Sequence, residues 1–255
     1  MRMPLVHRLV YTWNGWPSQE TLFPSPPDLA TVDPLWLTDG LRRLGTRWTR
    51  DLIQMSFEVE PGVSPVRFAA RAKGRLDHLL RELRTPVTFS RKVGIRAIGD
   101  NTDPTVERYL ALQQDRGDFA DPRFRATLGE FSREFPSVDL EAPAATGSGR
   151  YWYNLHLVAV TNGRFRMGKE DFLPRLAEAI PDWAREERAA LRSMAFMPDH
   201  VHLALRGDPT RSPAEIAESF HRSMNRVAGL RLFSDRIYVG SFSRYTKRSI
   251  GIGER

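Results

Sequence analysis

The chain repeats itself once, and the repeat restricts the fold more than any single segment does. Pro61 aligns with Pro209 and Ser64-Pro65 with Ser212-Pro213, with no gap between the matched points. Each Ser-Pro pair sets an N-cap hydroxyl before a proline at the first helical position. Ser212 with Glu215 adds the reciprocal glutamate of a capping box. The first copy reads as a strand His7–Trp13, a helical segment around Leu35–Asp51, a strand Leu52–Val59, a helix from Ser64 to about Leu83 and a strand Val93–Ile98. Gly99-Asp100-Asn101 then leads into a helix opened by Asp103-Pro104. The second copy reads as a strand Tyr153–Val160, a helix around Asp171–Leu191, a strand Arg192–Leu205, a helix from Ser212 and a strand around Tyr238–Phe242. Gln114–Gly149 is charged and holds Pro122, Pro136 and Pro143, so it reads as linker with a short helix near Phe124–Phe135. The expected division is a first domain over 1–114, a linker over 115–150 and a second domain over 151–255.

Within the second copy, His200 and His202 sit two apart in Met197-Pro198-Asp199-His200-Val201-His202-Leu203-Ala204-Leu205. In a strand both imidazoles share one face, and Val201, Leu203 and Leu205 share the other. A lone histidine there would read as structural; a same-face pair reads as two preformed metal ligands. Carried back through the repeat, the register puts Leu52 opposite His200 and Gln54 opposite His202. Ile53, Met55 and Phe57 keep the apolar parity, so the first copy has the strand without the ligands. At the other end, Ile98 aligns with Phe242 and Thr102 with Thr246. The helix Asp103–Gln113 then faces only Lys247–Arg255, with Tyr109 opposite Gly253, and the second copy is expected to lack that helix. Tyr109 and Gln113 are four apart and share a helix face. Singly, Tyr109 reads as a ring packed beside Val106 and Leu110, and Gln113 as an exposed position. Their joint placement opposite the gap in the second copy favours a functional role for both.

The chain has no cysteine, which excludes disulfides, Cys-ligated zinc, iron–sulfur clusters and a thiol nucleophile. No apolar stretch is long enough to span a bilayer, and Met1–Val10 carries no export signal; a cytoplasmic location is expected. The net charge of +7 points to a polyanionic partner, nucleic acid first, against the alternative of a solvated basic surface. Arg67, Arg71, Lys73, Arg75 and Arg81 spread over the helix from Ser64, with Arg71, Arg75 and His78 near one face. His221, Arg222 and Arg226 mark the matching helix of the second copy. Trp13 and Trp16 are candidates for base stacking or for the core.

The Met-Pro-Asp-His-Val-His-Leu run resembles the HUH strand of the single-tyrosine transposases of small bacterial insertion sequences and of the REP-associated tyrosine transposases. Tyr153–Val158, the helix Ser212–Ala228 and the strand Tyr238-Val239-Gly240-Ser241 resemble that family's flanking elements. The family then carries its tyrosine on a helix, with a polar metal ligand, often Gln, four residues later; here the second copy departs from the pattern. Val93–Gly99 followed by Thr105–Gln113 resembles the missing strand and tyrosine helix. The likeness covers most of 150–245 and, more loosely, 50–113.

The resemblance implies an α+β fold of two ferredoxin-like (HUH/RRM-like) domains, with antiparallel sheets and helices on one face, joined as a monomeric pseudo-dimer. It implies one composite site: Tyr109 as nucleophile, and His200, His202 and Gln113 holding Mg²⁺ or Mn²⁺. The other site, with Leu52 and Gln54, would be dead. The implied activity is metal-dependent nicking and rejoining of single-stranded DNA through a 5′-phosphotyrosine. Hairpin DNA would be gripped by Arg71, Lys73, Arg75 and His78, and by Arg222 and Arg226. Two other readings stand beside it. One is a domesticated hairpin-binding protein with weak or no catalysis. The other is a metal-dependent hydrolase, which would lack a carboxylate beside the pair because Asp199 is expected on the opposite strand face. Tyr238 and Tyr245 are rival nucleophiles, and His156 and His221 read as structural or surface residues.

Overall fold

The computed structural model describes residues 9–18, 21–85, 87–116, 122–167 and 172–251. The first half runs β1 (Leu9–Gly15), α1 (Asp33–Thr38), β2 (Leu41–Trp48), β3 (Ile53–Val59), α2 (Pro65–Glu82) and β4 (Val93–Ile98). Next come α3 (Asp103–Arg116), α4 (Pro122–Phe131) and three short strands, β5 (Arg133–Glu134), β6 (Ala144–Thr146) and β7 (Gly149–Trp152). The second half runs β8 (Asn154–Thr161), α5 (Leu173–Glu186), β9 (Ala190–Met197), β10 (His200–Arg206), α6 (Pro213–Ala228) and β11 (Phe233–Phe242). The strands lie in the order β2-β3-β1-β4 in one sheet and β9-β10-β8-β11 in the other, and these neighbours are all antiparallel. The same β-α-β-β-α-β winding, the ferredoxin-like one, is made twice. Among the described residues, no helix is long and apolar enough to cross a membrane.

Strand parity builds the core. Leu155, Leu157 and Ala159 of β8 and Val201, Leu203 and Leu205 of β10 are all fully buried. The apolar stripes of α5 and α6 close over them, with Trp183 edge-on to Phe220 at 5.0 Å between centroids. Met55 and Phe57 of β3 do the same under Phe68 and Leu76 of α2. Burying apolar side chains of this size is worth about 1.5–3 kcal/mol each. The opposite face of the second sheet is therefore left for α3, which covers it with Val106 and Leu110 against Leu140, Ala204 and Phe242.

The halves meet through reciprocal bonds. The Val66 amide donates to Pro209 O, and the Ala214 amide donates to Pro61 O, both at 3.0 Å. These are matching positions of the repeat, so each half donates once and accepts once. The ends of β4 and β11 do the same: the Asp103 amide donates to Ser243 O (3.1 Å) and the Lys247 amide to Gly99 O (3.0 Å). Two parallel bridges, Gly99 with Thr246 and Thr102 with Ser243, lie between them. The strand ends thus cross, and the crossing carries α3 from the first half onto the sheet of the second.

Three expectations change. The helix expected around Leu35–Asp51 stops at Thr38, because Gly40 turns into the left-handed region (φ +80°). Leu41, Leu44 and Trp48 keep a helical spacing, but pairing along β3 overrides it and makes β2. The single strand expected over Arg192–Leu205 is a hairpin, β9 and β10, turning at Pro198-Asp199 with Met197 opposite His200. The segment 115–150 is also more than linker. Its β5 pairs with β9, its β6 pairs with β7, and β7 extends the first sheet alongside β4. These strands are only two to four residues long, too short to show an alternation in the sequence. His7 and Arg8 of the first expected strand, Asp171 at the expected helix start, and Gly253 and Arg255 lie outside the described residues.

Candidate active site

His200 and His202 project from β10 to the side opposite α5 and α6, beside one another at 4.7 Å between ring centroids. His200 Nδ1 lies 2.6 Å from Asp199 Oδ1, and Arg164 donates to Asp199 Oδ2 at 3.0 Å. Partial burial opposes ionisation of Asp199, but the hydrogen bonds from His200 and Arg164 outweigh it and hold the carboxyl below its ordinary range. The hairpin turn therefore places Asp199 at the histidine pair, contrary to the opposite-face expectation drawn from a continuous strand. Because Asp199 accepts the Nδ1 proton of His200, Nε2 of that ring carries the lone pair.

His202 is 3% exposed, and its Nε2 is buried with no hydrogen-bond partner among the described residues. Its Nδ1 meets His156 Nε2 at 2.9 Å, the rings 15° from parallel. His156 stands on β8, read from sequence as structural or surface; its alternation with Leu155 and Leu157 was the signal that it faces the His200 side. Burial lowers His156 to about 4, and burial together with His156 and His200 lowers His202 to about 2. Both rings are then neutral at neutral pH, the state a metal ligand needs.

Tyr109 arrives from the other half of the chain. Its α3 is fixed by Val106 and Leu110 beneath it and by Glu107, which accepts from Arg192 Nε at 3.0 Å. The Tyr109 ring stands edge-on to His202 (5.7 Å) and to His156 (6.1 Å), and is 40% exposed. These residues line a cavity of about 430 Å³ with Asn101, Thr105, Val158 and Tyr238. Of the rival tyrosines, Tyr238 shares the cavity, 5.9 Å from His156, whereas Tyr245 lies against Arg96.

The orphaned Nε2 of His202 beside the free lone pair of His200 fits a divalent cation. Among the described residues no three His, Asp or Glu side chains converge on one point, so the two imidazoles leave positions for another ligand. Gln113 stands on α3 four residues after Tyr109, and its side chain lies outside the described residues. In the first half, Gln54 in the place of His202 donates to Asn14 Oδ1 at 2.8 Å, and Leu52 stands in the place of His200.

The expected DNA contacts divide. Arg71 and Arg75 both engage Asp39, Arg75 Nε donating to Oδ2 at 2.9 Å. Lys73 lies over the Phe89 ring at 5.5 Å, and His78 is 3.2 Å from Glu82. Arg222 and Arg226 are exposed on α6. His221 is tied to Phe233 O at 3.1 Å, a structural use, and Trp13 is core while Trp16 is 42% exposed.

At the base of α3, Asp103 is buried and accepts from Asn154 Nδ2 at 3.3 Å. Asp103 Oδ2 and Asn154 Oδ1 are buried acceptors with no donor among the described residues. Burial raises the Asp103 carboxyl to about 6 against the pull of Asn154 and Arg96. A carboxyl raised on folding holds its proton more tightly in the folded state. Its ionisation therefore weakens the fold above about pH 6, and the penalty fades as pH falls toward 3.8. Asp103→Asn is expected to raise Tm at pH 8 and leave it unchanged near pH 4 by calorimetry; a lower Tm at pH 8 would refute this.

Comparison with known proteins bears on the second half. The crystal structure of a protein assigned as a transposase, from Deinococcus radiodurans R1, is 22% identical over 38% of this chain and 84% of its own, with a TM-score of 0.31. A bacterial light-regulated adenylyl cyclase aligns at 8% identity over 87% of this chain and 65% of its own, with a TM-score of 0.18. No curated protein matches the chain. The family model described as transposase IS200 like matches residues 150–241, which span β8 to β11 and hold His156, His200, His202 and Tyr238. This part of the chain is similar to the IS200-like transposases.

Proposed function

We propose that the protein nicks and rejoins single-stranded DNA at a hairpin, with Tyr109 as nucleophile, in one composite site per chain. The observation that carries this reading is the seat of Tyr109. A helix of the first half sets its ring edge-on to His202 and His156, inside the cavity of the IS200-like half.

The Tyr109 oxygen attacks a backbone phosphorus in line with the 3′ oxygen. As the new O–P bond forms, the bond to the 3′ oxygen breaks. The phenolic proton is released and the 3′ oxygen takes one up, so the step is balanced in charge. The aryl phosphodiester keeps the bond energy for rejoining by the reverse step. Mg²⁺ or Mn²⁺ held by His200 and His202, with Gln113 as a third ligand, would polarise the phosphate and stabilise its developing charge. Asp199 orients His200, and the packing of Val106 and Leu110 keeps Tyr109 over the site. Arg222 and Arg226 on α6, with Lys73 and His78 on α2, would contact the DNA backbone, while Arg71 and Arg75 first have to leave Asp39. The reciprocal bonds between the halves support a monomer, with 1–114 and 151–255 as the two units.

The test is direct. Wild-type protein with Mn²⁺ and an end-labelled hairpin with single-stranded flanks should give a covalent adduct on a denaturing gel. Peptide mapping should place the nucleotide on Tyr109; a map to Tyr238 or Tyr245 would overturn the assignment.

A further inference from the structure

We infer that His156 is a positioning residue that fixes the tautomer and ring plane of His202, so that both histidines of the pair keep an Nε2 lone pair free before any ion arrives. The inference rests on the metal-binding reading of the site. It starts from a symmetry of roles within the pair. His200 has Nδ1 engaged by Asp199 at 2.6 Å, and His202 has Nδ1 engaged by His156 at 2.9 Å. A carboxylate can only accept, so His200 is protonated on Nδ1. For the two-histidine contact, one ring donates and the other accepts.

The environment of His202 Nε2 decides which. That atom is buried and meets no partner among the described residues. If His156 donated, neutral His202 would carry its proton on Nε2, a buried N–H with no acceptor. If His202 donates from Nδ1, its Nε2 is a lone pair aimed where a cation can fill it. The second arrangement matches His200, and a metal-bound histidine commonly donates its other N–H to a fixed partner. His156 is itself held by the sheet, opposite Ala204 on one side and Gly240 on the other, neither of which competes for its ring. The Tyr109 and Tyr238 rings stand edge-on to it.

The first half supplies an internal comparison. Gln54 stands there in the place of His202, paired with Asn14 as His202 is with Val158. Thr12, opposite Ser56, stands in the place of His156, opposite Ala204. The ligand and its positioning partner are therefore absent together, as expected if one serves the other. His156 is not itself placed as a ligand in this geometry: its Nε2 is spent on Nδ1 of His202, not beside the unpartnered Nε2.

The experiment uses metal-free, ¹⁵N-labelled full-length protein and Mn²⁺ as the probe. Imidazole nitrogen shifts should show His202 protonated on Nδ1 in the wild type, and a loss of that single tautomer in His156→Ala. Titration followed by the electron paramagnetic resonance of free Mn²⁺ should show a weakening of about tenfold to a hundredfold in His156→Ala. His156→Gln, whose side-chain oxygen can accept from Nδ1, should restore most of the affinity and the tautomer, which a purely structural role would not require. The inference is overturned if wild-type His202 is protonated on Nε2, or if His156→Ala binds Mn²⁺ like the wild type. It is also overturned if both variants lose all binding, because His156 would then be a ligand. A wild type that takes up no Mn²⁺ would instead remove the metal reading of the site, and the tautomer shifts would still decide the role of His156.

Discussion

Tyr109→Phe is expected to lose the covalent DNA adduct entirely while still binding the hairpin and Mn²⁺. The substitution removes one oxygen and little else. The phenyl ring keeps its edge-on contacts with His202 and His156, at 5.7 and 6.1 Å between centroids, and α3 keeps Val106 and Leu110 on the sheet. With 40% of Tyr109 exposed, the lost hydroxyl leaves no buried partner stranded, so stability should stay within about 0.5 kcal/mol of the wild type. Removing the nucleophile of a concerted site costs about four orders of magnitude or more in rate. Hairpin affinity and Mn²⁺ affinity should remain within error, because neither depends on the hydroxyl. The competing outcome is specific. Tyr238 lines the same cavity, and its phenol is pushed up by burial and by the nearby Asp100 and Tyr109, which makes it the poorer nucleophile. An adduct that survives Tyr109→Phe and disappears in Tyr238→Phe would transfer the role to the strand.

The sequence carried the features that depend on local chemistry. Ser64 and Ser212 cap the helices they were expected to cap, each accepting from the backbone three residues on. The parity of Val201, Leu203 and Leu205 against His200 and His202 holds, because a strand buried on one side has little freedom to slip. What it hid depends on partners far along the chain. Leu41, Leu44 and Trp48 have a helical spacing, and only the neighbouring β3 makes them a strand. The turn at Pro198-Asp199 has no signal strong enough to break the strand pattern, and a continuous strand puts Asp199 on the wrong side. His156 reads as structural or surface from sequence, since its partner His202 lies 46 positions away and only the β8–β10 register brings them together. The meeting of Tyr109 with the histidines was legible from the repeat, as a gap in one copy facing a surplus in the other. The crossing that achieves it is not, because its bonds join residues more than 130 positions apart, most of them through the backbone.

Gly99→Ala tests that crossing and should damage fold and adduct formation together. Gly99 lies where β4 passes under β11, and a β-carbon built on it would overlap the Ser241 carbonyl oxygen and crowd Phe242 Cα. The obstacle is backbone, so no rotamer change relieves it. The same few residues carry bonds of the crossing: Asp103 to Ser243, Lys247 to Gly99, and Ser241 Oγ to Ile98 O at 2.7 Å. Overpacking of this kind costs about 3 kcal/mol. In a domain of this size that lowers Tm by about 10 °C. The larger consequence is positional. Splaying the two strand ends moves the first turn of α3, and a shift of about 1 Å in a reacting group can cost about a hundredfold in rate. Gly74→Ala is the matched control. Gly74 sits inside α2 with open space around it, so alanine there should stabilise the helix by about 0.5–1 kcal/mol and leave adduct formation unchanged. If Gly99→Ala keeps both the wild-type Tm and the wild-type adduct yield, the strand crossing does not hold Tyr109 over the histidines, and the tie must lie in the Glu107–Arg192 pair and the Val106–Leu110 packing alone.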